Sequence, residues 1–162
     1  MLNNLRLFLI AVWLGAAIFF SAAVAPAAFQ VARGFNLPNA GEVAGAIVSR
    51  TLAVINISGF VISFLLIVLS LLLRKHYKTP KFVAQVVLLL VVLVSTAVGE
   101  WIIAARMRDL RTAMMIPIEQ VATSDPMRVA FQALHGYSVA ALSIAIIAAI
   151  IAFVFMANRR AT

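Results

Sequence analysis

Four apolar stretches, 7–29, 51–73, 82–105 and 129–157, fill most of this chain, and each is long enough to cross a bilayer. A spanning helix needs about 20 mostly apolar residues, and helices of a water-soluble core seldom run that far without polar interruption. The expectation is an all-α integral membrane protein, a single domain over residues 1–162 whose helices are joined by short links into an antiparallel four-helix bundle.

At 162 residues and 65% hydrophobic content, the chain leaves no room for a water-soluble domain beyond its connecting loops. Its net charge of +8 would suggest nucleic-acid binding in a soluble protein. Here the basic residues flank the apolar stretches, where they act as topology signals, so the expected partner is the lipid bilayer and not nucleic acid. One side collects Arg6, Arg74, Lys75, Lys78, Lys81, Arg159 and Arg160 with no acid among them. The other holds Arg33, Arg50, Arg106, Arg108, Arg111 and Arg128, diluted by Glu42, Asp109, Glu119 and Asp125. The short basic loop Arg74-Lys75-His76-Tyr77-Lys78 places itself and both termini in the cytoplasm. With no cysteine, disulfides, thiolate ligands and cysteine nucleophiles are excluded.

Arg6 ahead of an apolar run ending in Ala23-Val24-Ala25 has the outline of a secretory signal. The run exceeds the roughly 7 to 15 apolar residues of a signal core, and nothing soluble follows it, so it reads as the first spanning helix. Its many small residues, among them Gly15, Ala16, Ala17, Ser21 and Ala22, suit close helix packing in lipid. Pro26 cannot donate to the carbonyl of Ala22, which needs another partner at membrane depth. Asn39 and Glu42 after Pro38 have the spacing of a capping box, which starts the second helix ahead of its span. The third helix is expected to begin after Pro80 and to project past Arg106 until Pro117 stops it. Asp125 as N-cap with Pro126 at the first position opens the fourth.

Only Glu100 and His135 are ionisable within the apolar stretches. Glu100 lies six residues before Arg106, His135 seven after Arg128, and Asn56 six after Arg50. At 1.5 Å per residue this puts all three about 9 to 11 Å inside the same interface. Gln132, His135 and Ser138 share one face of the fourth helix, as Thr96 and Glu100 do on the third. An ionised carboxylate facing lipid costs at least about 2.5 kcal/mol, so Glu100 is expected to face the interior, with His135 as its partner. Glu100, His135, Asn56, Gln132 and Ser138 thus form a candidate polar cluster for a cation, a proton or a small solute. The competing reading is interhelical glue, worth about 0.6 kcal/mol per contact.

His135 with Met107, Met114, Met115 and Met127 offers soft ligands suited to copper(I). Methionine is also ordinary apolar filler, and no tight methionine or histidine spacing accompanies these residues. A b-type haem between helices wants two axial ligands where only His135 lies in the membrane. No nucleophile elbow or zinc motif is present, and Ser138 near His135 is a commonplace helical spacing, so no enzymatic activity is expected and no cofactor is named. His76, in the basic loop, reads as solvated.

Trp13-Leu14-Gly15, Phe19-Phe20 and Ala25-Pro26-Ala27-Ala28-Phe29 in the first helix stand out as a pattern. So do Ala40-Gly41-Glu42-Val43-Ala44-Gly45, and Arg128, Phe131, Leu134-His135-Gly136 and Ser138. Together they resemble the transmembrane protein 205-like family, small four-helix membrane proteins grouped as a domain of unknown function. The resemblance implies a multi-pass fold and, for eukaryotic members, an association with tolerance to toxic metal drugs; it carries no agreed substrate or catalytic residue. The function expected from all this is binding or transport of a small solute or cation through the intramembrane cluster, with a homo-oligomer for transport. The alternative is an accessory subunit packed against a larger membrane complex.

Overall fold

The computed structural model describes residues 2–35, 39–74 and 79–158. Pro38, Lys75, His76, Tyr77, Lys78, Arg159 and Arg160 lie outside the described residues. Four helices follow one another: α1 (Leu2–Gly34), α2 (Ala40–Leu72), α3 (Pro80–Met114) and α4 (Pro126–Ala157). No strand occurs among the described residues. Each helix is about 50 Å long at 1.5 Å per residue, so each overruns its apolar stretch. Two π-helical segments interrupt them, Phe20–Val24 in α1 and Val98–Ala104 in α3.

The helices close a ring in which α1 and α3 each pack on both α2 and α4. The core runs through Ile10, Trp13 and Ala17 of α1, Ile55 and Leu66 of α2, Leu89 and Val92 of α3, and Ala145, Ala149, Ala152 and Met156 of α4. The tightest small-residue seam therefore lies on α4, at three- and four-residue spacing, where the helix meets its neighbours. Of the small residues of α1, Ala17 is fully buried, while Gly15 faces open space. The outer surface is apolar all round: Phe8, Val54, Leu72 and Val139 are each more than half exposed. Just 22–28% of the most apolar window of each helix is buried, so most of its apolar surface needs a covering other than the bundle itself. A water-soluble bundle hides its apolar stripe and presents polar faces; helices apolar on every side suit lipid. All four helices are long and apolar enough to cross a membrane, which suggests an integral membrane protein.

At one end of the ring Arg6 is fully buried and donates from Nη2 to Ser70 Oγ at 2.7 Å, while Gln85 Nε2 donates to the same hydroxyl at 3.0 Å. Arg6 is therefore more than a flanking topology charge. At the other end the start of α2 is joined to the end of α3 and the loop after it. Gln120 Nε2 donates to Asn39 Oδ1 at 3.2 Å, the Gly41 amide donates to Glu119 Oε1 at 3.1 Å, and Arg111 pairs with Glu42 at 3.4 Å. A Cβ on Gly41 would sit 2.1 Å from that carboxylate oxygen, so the glycine marks a close approach.

The expected capping box at Asn39 does not form. Asn39 adopts left-handed backbone (φ 59°) and makes no side-chain cap bond. A capping side chain starts from extended backbone, and both Asn39 and Glu42 are engaged with α3 and its following loop instead. α3 stops at Met114, before Pro117, because Met115 turns left-handed with φ 55°. Asp125 does cap α4, its Oδ1 accepting from the Met127 amide at 2.7 Å. Asp125→Ala is expected to lower unfolding stability by about 1 kcal/mol in a detergent melt followed by circular dichroism. A melt unchanged from the parent would show the cap to be dispensable.

Candidate functional site

A cavity of about 530 Å³ opens among all four helices near the end where α2 begins. Such a volume falls within the roughly 300–1,000 Å³ of small-molecule sites. Both π segments contribute to its wall: Phe20 and Ser21 from the first, Glu100 and Ala104 from the second. A π turn inserts an extra residue, which breaks the regular stacking of side chains and loosens the local hydrogen bonding; such turns concentrate at functional sites. Pro26 sits just beyond the first, with Ala22 inside it, so the carbonyl that proline leaves without a regular donor lies where the helix is already widened.

The wall is mainly apolar, with Pro26 and Phe29 of α1, Leu52 of α2 and Phe131 and Leu142 of α4. Its charged members are Glu100 and three arginines, Arg50, Arg108 and Arg111. Glu100 is buried, with 7% exposure, and accepts from Arg108 Nη1 at 3.2 Å through Oε1. The arginine stands eight residues further along α3 and reaches back toward the helix start, the direction in which helical side chains lean. Its own side chain is 60% exposed, so the pair joins a buried anion to a solvated cation. Glu100 Oε2 is buried without a hydrogen-bond partner. Leaving an acceptor unmatched in an apolar wall is costly, so that oxygen calls for a hydrogen-bond donor.

Arg111 is engaged on two sides, by Glu42 and by the Phe131 ring 5.4 Å from its guanidinium carbon. Arg50 is exposed and has no ion-pair partner among the described residues. The arginines thus leave the cavity with surplus positive charge beside one half-satisfied carboxylate.

Of the residues singled out from sequence, Glu100, His135 and Ser138 line this cavity. The expected Glu100–His135 pairing is replaced by Glu100–Arg108, and His135 is exposed at the wall. Asn56 is buried elsewhere, its amide packed on the α3 backbone, where a Cβ on Gly99 would lie 3.2 Å from Nδ2. Gln132 is exposed and Thr96 is buried with its hydroxyl turned back to Val92, so neither belongs to the wall. The methionines separate: Met107 lines the cavity, Met114 is buried, Met115 is 91% exposed and Met127 37% exposed. Among the described residues no three His, Cys, Asp or Glu side chains converge as a metal site. Sequence reading missed Arg108, Arg50 and the two π turns. The charge of Arg108 was legible, but its return to Glu100 over two helical turns was not.

Residues 8–115, about two thirds of the chain, match the family described as Domain of unknown function (DUF4149), and the chain belongs to that family. The match takes in most of α1, all of α2 and α3, and so Glu100 and the three arginines of the cavity; α4 lies beyond it. No curated protein and no solved structure matches the chain.

Proposed function

We propose that this DUF4149 protein is a non-enzymatic, multi-pass integral membrane protein that binds, and in an oligomer transports, a small solute or cation in the cavity at Glu100. The observation that carries this reading is the buried carboxylate with one oxygen unpartnered, in a cavity walled by all four helices. An ionisable group at membrane depth is costly to retain and marks a binding or transfer site more often than a packing contact. The antiparallel arrangement is supported by the meeting of the start of α1, the end of α2 and the start of α3 around Ser70. Cytoplasmic termini follow from the acid-free basic flanks, which set the cavity at the outer side of the membrane. The narrower kinship with transmembrane protein 205-like proteins is part of the same proposal, supported by the cavity position of Pro26, Phe29, Phe131 and His135, all in segments that carry the resemblance.

Native mass spectrometry of protein extracted in mild detergent tests the proposal. The expected result is a defined small-molecule adduct on the parent that disappears in Ala104→Trp, which fills the cavity. Equal adducts on both, or none on either, would refute it.

The exposed face of α1 favours a second reading, an accessory subunit. Phe8, Val12, Gly15 and Phe19 line it at three- to four-residue spacing, with nothing within 4 Å of a Cβ on Gly15. A slender groove at a glycine suits a partner helix. Co-elution of a stoichiometric second protein, lost in Gly15→Leu, is the outcome that would establish this role.

A further inference from the structure

The two halves of α1 pack differently. Leu2–Phe19 contacts both α2 and α4, whereas Ala25–Gly34 leans on α2. The cavity lies where α1 parts from α4, with Phe20, Pro26 and Phe29 on one side and Phe131, His135 and Val139 on the other. Val139, in the cavity wall, is 54% exposed, so this parting faces the surroundings of the bundle. A cavity reached through an apolar flank is accessible to molecules dissolved in the bilayer.

The arginines stand at the ends of the apolar stretches, where a lipid carries its phosphate, and Glu100 lies deeper, within 3.2 Å of Arg108 Nη1. Arg50 precedes the apolar stretch of α2, Arg108 and Arg111 follow that of α3, and Glu100 lies about 9 Å inward of Arg106 at 1.5 Å per residue. Arg50 and Arg108 present guanidinium groups outside the bundle core, the side chains best suited to phosphate oxygens. Glu100 Oε2 calls for a hydrogen-bond donor. The apolar wall beside them, with Phe20, Phe131 and Val139, suits an acyl chain.

Resting on the solute-binding reading above, we propose that the occupant is a membrane phospholipid entering sideways between α1 and α4, with a headgroup that combines a phosphate and a hydrogen-bond donor. The phosphate meets Arg50 and Arg108, the headgroup ammonium or hydroxyl donates to Glu100 Oε2, and a chain leaves over Phe20, Phe131 and Val139. Phosphatidylethanolamine and phosphatidylglycerol meet both requirements. Phosphatidylcholine has the phosphate but no headgroup donor, and is disfavoured beside an unmatched carboxylate.

The test is titration of the full-length, delipidated protein with these three lipids, chains matched, read as adducts by native mass spectrometry. Ethanolamine and glycerol headgroups are expected to bind at least about tenfold tighter than choline, the equivalent of about 1.4 kcal/mol. Glu100→Leu removes that preference, Arg50→Gln weakens all three several-fold, and Ala104→Trp abolishes saturable binding, with circular dichroism confirming that each variant is folded. Equal affinity for the three lipids, or a preference that survives Glu100→Leu, overturns the inference. Displacement of bound lipid by millimolar phosphoethanolamine also overturns it, in favour of a water-borne solute, and leaves the solute-binding reading standing. Absence of any adduct sensitive to Ala104→Trp removes both.

Discussion

Gly59→Leu is expected to destabilise the bundle by about 3 kcal/mol. A Cβ at residue 59 would lie 2.7 Å from Nε1 and 2.8 Å from Cε2 and Cζ2 of Trp13, well inside contact distance. The indole has nowhere to retreat: Trp13 is 3% exposed, packed in the main core, and held by a 3.0 Å bond from Nε1 to the Ile55 carbonyl. Overpacking alone costs about 1–3 kcal/mol, and displacing the indole adds a lost hydrogen bond of about 1 kcal/mol. The transfer of apolar surface from water contributes little here, because lipid is as apolar as the core; the loss comes from packing, which is what holds helices together in a membrane. Denaturant titration in mixed micelles reads the effect. Gly59→Ala should cost less, and its cost should shrink again in a Trp13→Phe background, where the ring atoms it strikes are gone. Equal costs in the two backgrounds would show that the close approach of α2 to the tryptophan is not what requires glycine.

Glu100→Leu is expected to do the opposite: weaken ligand binding about tenfold, to the level of a headgroup without a donor, while leaving the melting temperature unchanged or raised. Glue and binding site differ in sign at this residue. If Glu100 were a structural contact, its loss would leave Arg108 stranded and weaken the fold. Arg108 is 60% exposed, however, and keeps its hydration without the carboxylate. A buried ion paired on one oxygen and orphaned on the other is a poor stabiliser, and an apolar side chain of similar size relieves its desolvation. Sites that give up stability for function behave in this way. Glu100→Gln keeps the shape and an acceptor oxygen but removes the charge, so it should hold the fold and retain part of the binding. Loss of several degrees in melting temperature for Glu100→Leu, with ligand binding intact, would assign the residue to structure.

The spans, the all-helical class and the cap at Asp125 were legible because each depends on residues adjacent in the chain. Hydropathy over 20 residues and an Asp-Pro pair at a helix start are local quantities, and they are the same whichever way the helices later turn. The position of Glu100 along its helix was legible for the same reason, since rise per residue converts sequence distance into position along an axis. Rotation about that axis was not. Asn56 and Glu100 were expected at one depth and in one cluster, yet Asn56 packs on Gly99 while Glu100 lines the cavity. Arg6 reads as a flanking charge until Ser70, 64 residues away, meets it in the packed bundle. The capping pattern at Asn39 failed because Gln120 and Arg111, distant in sequence, claimed its side chains. The π turns change helical register by one residue through a shift in backbone bonding that no side-chain periodicity records; Pro26 was their one local sign. Which groups share a cavity depends on the angular register of four helices at once, and that register is set by contacts such as Gly59 on Trp13 and Gly41 on Glu119, formed only when the helices come together.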